Sequence, residues 1–96
     1  MTENRKIVLI PRMPNDFTLD LVFKTDRGLA VQASDDDIQR LRDRNIPFVE
    51  LFSSGNEYAA MMMNSTRDQA IAAIESTQQT ALAALSLEDQ NEFGIA

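Results

Sequence analysis

Acid–base and metal chemistry in this chain would rest chiefly on its carboxylates, because its 96 residues include no histidine and no cysteine. Without histidine the usual general base and the commonest metal ligand are missing. Without cysteine there is no thiolate nucleophile, no disulfide and no thiolate zinc site. A metal would need an all-oxygen site of the magnesium or calcium kind.

The carboxylates do not arrange themselves that way. Asp35, Asp36 and Asp37 are consecutive, whereas a calcium loop of the EF-hand kind spaces its ligands at alternate positions around a glycine. Directly after Ser34, a good N-cap, three acids belong in a first helical turn, at the positive end of the dipole. Arg40, Arg42 and Arg44 suggest a phosphate patch. Asp36 precedes Arg40 by four residues, however, and Asp43 interrupts the run, which is the pattern of a solvated, charge-laced helix face. Glu50 lies between Phe48 and Phe52, where burial would lift its pKa toward a general-acid range. It has no second carboxylate at a readable spacing, and an edge-strand glutamate facing water is the reading adopted. Asp20 faces outward. No catalytic constellation, metal site or cofactor site follows.

Anion capture is the next possibility. Residues 1–32 hold five of the nine Lys/Arg residues, and Arg12, Lys24 and Arg27 are the candidates to hold a nucleotide-like anion through bidentate and point-charge contacts. The three glycines are not clustered, so there is no phosphate-cradling loop. Nucleic acid is a poor partner, since the net charge is −6 and aromatics make up only 6 % of residues. An acidic DNA mimic is an alternative, although 15 acids offset by 9 bases give a thin carboxylate array.

The third possibility is a contact surface. NEYAAMMMNS, residues 56–65, is expected to hold a strand over 57–63, which puts Met61 and Met63 on one face and Tyr58 and Met62 on the other. Methionine suits an adaptable contact and tyrosine a rigid anchor, so Tyr58 and Met62 are partner-binding candidates. Ala73, Thr77 and Ala81 extend that surface as a flat stripe on a long helix, where a second chain can approach closely.

The elements that must position these residues can be laid out along the chain. KIVLI at 6–10 is a short buried strand stopped by Pro11. FTLDLVFK at 17–24 alternates with a period of two, placing Phe17, Leu19, Leu21 and Phe23 inward. TDRG turns the chain, with Gly28 free to take φ > 0, and Leu29, Val31 and Ala33 return as the antiparallel partner. A short helix over about 35–44 follows, with Ile38 and Leu41 inward and Asn45 as a left-handed stop. IPFVELF at 46–52 is a fourth strand and 57–63 a fifth. Thr66 and Gln69 have capping-box spacing at the start of a long helix over about 67–85. Ser86 caps one further turn before a C-terminal tail, 86–96, free to fray.

These elements predict a single α+β domain over residues 1–96. It should be a sheet of about five strands, mostly antiparallel, with one short and one long helix packed on one face. Neither a leader nor a membrane-spanning run is legible, so a cytoplasmic protein is expected. The functional expectation is a non-catalytic binding or regulatory protein, homodimeric or larger. It would act by protein–protein contact and inhibit a larger host enzyme or complex, in the manner of phage accessory proteins. Small-anion capture and DNA mimicry are the alternatives.

Overall fold

The computed structural model describes residues 5–94. Four strands, β1 (Lys6–Ile10), β2 (Asp20–Lys24), β3 (Leu29–Ala33) and β4 (Val49–Phe52), form one sheet in the order β2-β3-β1-β4. Every neighbouring pair is antiparallel. Four helices complete the α+β fold: α1 (Asp35–Asp43), α2 (Gly55–Met63), α3 (Arg67–Ala83) and α4 (Leu87–Glu92).

β1 lies inside the sheet and is buried from Ile7 to Ile10, so both of its faces need cover. Both receive it, which corrects the expectation of helices on one face only. Val8 and Ile10 join Val31, Ala33 and Leu19 under Ile38 and Leu41 of α1. Ile7 and Leu9 join Ala30, Leu51 and Phe52 under Leu82 of α3 and Phe93, with Tyr58 and Met61 of α2 packed alongside. A continuous apolar run is the sequence mark of such a two-sided strand.

Each edge strand carries a register shift that strict alternation does not anticipate. In β2, Leu21 opposes Val31 and Phe23 opposes Ala30, so the phase flips between them. Phe23 and Val22 therefore both pack on the α3 side, while Leu21 is left exposed. β4 behaves alike, with Phe52 opposite Ile7 and Glu50 opposite Val8, and Leu51 and Phe52 both on the α3 side. An extra residue facing one partner residue is how a bulge re-aims side chains, and it also blunts an open sheet edge.

α1 follows its sequence signals closely. Ser34 Oγ accepts the Asp37 N–H at 3.2 Å and the Asp37 carboxylate accepts the Ser34 N–H at 3.1 Å. At the other end Asn45 adopts φ 55°. Its N–H donates to the Arg42 carbonyl and the Ile46 N–H to the Leu41 carbonyl, both at 3.0 Å, the paired bonds of a Schellman stop. The arginines of α1 are engaged. Arg40 and Arg44 lie over the Phe17 ring and Arg42 over Phe48, while Arg44 Nε also donates to both Asp16 oxygens at 2.8 and 2.7 Å. That hydrogen bond holds the Asp16 pKa below its usual value. Its stabilising effect is therefore present at neutral pH and is lost only as acid takes the carboxyl through that lowered value.

The expected fifth strand is a helix: residues 55–63 form α2, and among the described residues the sheet has four strands. Ser54 Oγ accepts the Glu57 N–H at 3.1 Å, which starts α2 where a strand was expected. The long helix α3 is capped reciprocally by Thr66 and Gln69, as their spacing predicts. Ser86 caps α4, and Phe93 just beyond it is buried in the core. The last two residues of the C-terminal tail, 95 and 96, lie outside the described residues. Among the described residues no helix is long and apolar enough to cross a membrane.

Gly28 is required for a reason other than positive φ. A Cβ there would stand 2.3 Å from the Ile10 carbonyl oxygen, so the β2–β3 turn passes too close to β1 for any side chain. Gly28→Ala is expected to lower unfolding free energy by about 1–3 kcal/mol, the usual cost of overpacking, read from urea denaturation with an unchanged m-value. An unaltered midpoint would show that the turn yields freely.

Candidate functional site

An open groove of about 1220 Å³ lies between the β2–β3 turn and α3. The turn side presents Phe23, Lys24, Asp26 and Arg27, and the helix side presents Ile71, Ile74, Gln78 and Leu82. Tyr58 and Met62 of α2 and Arg67 at the start of α3 also line it, with Gln90 contributed by α4.

Aromatic stacking positions the α2 side of this groove. The Tyr58 ring lies 5.6 Å from Phe23 in a stacked arrangement and 5.3 Å from Phe52 in an edge arrangement. The two phenylalanines are those that the bulges of the edge strands turn toward α3. Each such ring pair is worth about 0.5–1.5 kcal/mol beyond area burial, enough to hold α2 across this side of the sheet. Around the rings, Met62 and Ile71 remain 42 % and 45 % exposed, which leaves the groove apolar at its rim.

The turn side is tied down by hydrogen bonds. Thr25 Oγ1 accepts from the backbone N–H groups of Arg27 and Gly28 at 3.1 and 3.2 Å. The Arg27 guanidinium donates to the Gly94 carbonyl at 3.1 Å, linking the turn to the end of α4. Lys24, Arg27 and Arg67 have no carboxylate at ion-pair distance among the described residues, although Asp26 and Glu75 also line the groove.

Gln78 is the anomaly. It is only 6 % exposed and lines the groove, and its Oε1 is buried without a hydrogen-bond partner. Buried polar atoms are nearly always satisfied, and an orphan acceptor costs about 1–3 kcal/mol. Position 78 falls at i+4 from Ile74 and at i−4 from Leu82, so the helix delivers its amide to the apolar face of α3.

Of the residues expected to contact a partner, Tyr58 and Met62 line the groove. Tyr58 is half-buried and belongs to the packing against the core as well. Ala73 and Thr77 are half-buried, Ala81 packs against the core, and none of the three lines the groove. Of the anion candidates, Lys24 and Arg27 are brought together there. Arg12 is not: it pairs with Glu92 at 2.6 Å. Glu50 is exposed, with an oxygen 3.5 Å from Lys6 Nζ, and Asp20 accepts from Arg5 at 3.0 Å. Asp37 of the acidic run serves as the capping acceptor of α1.

Sequence reasoning missed Ile71, Gln78 and Arg67 as groove residues. Gln78 had one readable signal, a polar side chain on the helical stripe of Ile74, Leu82 and Leu85. No family model, curated protein or solved structure matches this chain.

Gln78→Leu is expected to raise unfolding free energy by about 1 kcal/mol in chemical denaturation, because it removes the orphan acceptor and keeps a similar volume. A loss of stability would mean that the amide already serves a structural role.

Proposed function

We propose that this is a small non-catalytic binding protein that regulates a partner protein by docking part of it into the groove between the β2–β3 turn and α3. The observation that carries the reading is the coincidence, in one open groove, of exposed apolar side chains and an unsatisfied buried amide. Met62 and Ile71 stay partly in water although covering the remaining surface would stabilise each by about 1 kcal/mol. Gln78 tolerates an orphan oxygen in the same wall. Exposed apolar groups and an unmet polar atom at one place are features that an occupant would resolve together.

A docking role also suits the chemistry of the chain. Its 96 residues offer no histidine or cysteine, and Glu50 is engaged with Lys6 at the surface. Regulation by occupancy needs only a shaped surface and a partner whose own work is blocked or altered when held. Inhibition of a larger enzyme or complex is the form of this role that fits a small acidic chain best.

Replacing Ile71 by a photoactivatable benzophenone residue puts a crosslinker in the groove. The same group at Gln39, on the exposed side of α1, is the control. In extracts of the organism that encodes the protein, illumination is expected to give a discrete protein adduct from position 71 that is absent from position 39. An adduct of twice the subunit mass would make a second copy of the chain the partner. Identical adducts from both positions, or none from position 71, would contradict groove docking.

A further inference from the structure

The chain carries nine lysines and arginines; six meet a carboxylate or an aromatic ring of its own, and a seventh, Arg27, donates to the Gly94 carbonyl. Arg5 pairs with Asp20, Lys6 with Glu50, Arg12 with Glu92 and Arg44 with Asp16. Arg40 and Arg42 lie over the rings of Phe17 and Phe48. The three left without a carboxylate or an aromatic ring, among the described residues, are Lys24, Arg27 and Arg67. All three line the groove.

That partition runs against the charge of the molecule. With 15 acids to 9 bases, a cation on this surface finds a carboxylate more readily than not. Lys24 and Arg27 instead share a turn with Asp26 and pair with it at neither position, and Arg67 is the first residue of α3, where a cation meets the positive end of the helix dipole. An anion placed between them supplies the missing counter-charge. The apolar part of the groove and the Gln78 oxygen ask for more than a bare anion. One wants hydrophobic side chains and the other an N–H donor.

We infer that the groove takes an acidic peptide segment with apolar anchors. Its carboxylates meet Lys24, Arg27 and Arg67, its hydrophobic side chains cover Met62 and Ile71, and one of its N–H groups donates to Gln78 Oε1. This rests on the docking role proposed above and specifies the chemistry of what docks. A polypeptide supplies N–H donors and alternating side chains along its length, and a groove of about 1220 Å³ accommodates several residues of it. Charge-assisted hydrogen bonds from arginine forks give such a segment its register.

The test uses three fluorescently labelled peptides that share one pattern of Leu and Phe and carry Asp/Glu, Asn/Gln or Lys at the intervening positions, read by anisotropy. The acidic peptide is expected to bind saturably and the other two not. Its affinity should fall as salt rises from about 50 to about 200 mM, because the contacts are partly exposed. Lys24→Glu with Arg27→Glu is expected to weaken binding by about 10-fold or more. Arg67→Glu, which improves the helix N-terminus and so leaves the fold intact, should act in the same direction. Arg40→Glu, on the opposite side of the sheet, should leave binding unchanged.

Equal binding of the acidic and neutral peptides, or acidic binding indifferent to the groove substitutions, would overturn the inference and leave docking itself standing. Saturable binding of inorganic phosphate or nucleoside triphosphate, with no binding of the acidic peptide, would also overturn it and make the ligand a small anion. Failure of every probe, together with the absence of a crosslink from position 71, would remove both this inference and the docking role.

Discussion

The contact on which this architecture turns is the Tyr58 ring set between Phe23 and Phe52. Those two residues come from opposite edges of the sheet, and strict alternation along either strand would not deliver both to the same side. A register shift in each edge strand supplies the missing half-step. The bulges thus decide where the aromatic residues point, the aromatic residues decide where α2 lies, and α2 decides where the chain re-enters as α3. The groove is the space left between α3 and the β2–β3 turn once those positions are set.

Energetically the two sides of the sheet are unlike. Under α1 the chain largely closes on itself: most apolar residues are covered, with Leu21 of the edge strand the exposed exception, both helix ends are capped, and every arginine has a carboxylate or a ring. Under α2 and α3 it does not. Half-exposed Met62 and Ile71, an orphan amide oxygen and three cations without carboxylates meet around one groove, while the more exposed Met63 and Leu87 lie outside it. A chain that satisfies its groups this well elsewhere has kept a local disadvantage, and in natural proteins such departures gather where binding takes place.

Much of the fold was legible before the structure. Ser34, Asn45, Thr66 with Gln69, and Ser86 mark helix ends by local chemistry that involves only neighbouring residues, and each acts as its type predicts. The β2–β3 pairing was legible too, although β2 begins at Asp20 where a strand from Phe17 is expected, and Leu21, expected inward, is exposed. The element misassigned was the one containing Met61, Met62 and Met63, because a short apolar run does not distinguish a strand from a helix by period alone. The arbitrating signal was present in Ser54 and Glu57, an N-cap and the acid three residues later, followed by alanine and methionine, which favour helix.

What sequence could not supply was tertiary. Nothing local announces the two register shifts, and without them Phe23 and Phe52 fall on the wrong faces. Gly28 was read as a positive-φ residue, when its requirement comes from the carbonyl of Ile10 in another strand. Lys24 and Arg27 could be nominated as cations, but their company with Arg67, some 40 residues on, depends on how α2 and α3 return across the sheet. Arg12 was grouped with them by sequence proximity and was claimed instead by Glu92.

The most direct measurement of the central claim, that an occupant docks in the groove beside α3 and not on the α1 side, is amide chemical-shift mapping by NMR during titration with the acidic Leu/Phe peptide. The account requires saturable shifts confined to the β2–β3 turn, α2 and the α3 residues that face the groove, with α1 and its flanking loops unmoved. Shifts centred on α1, or scattered evenly over both sides of the sheet, would contradict it.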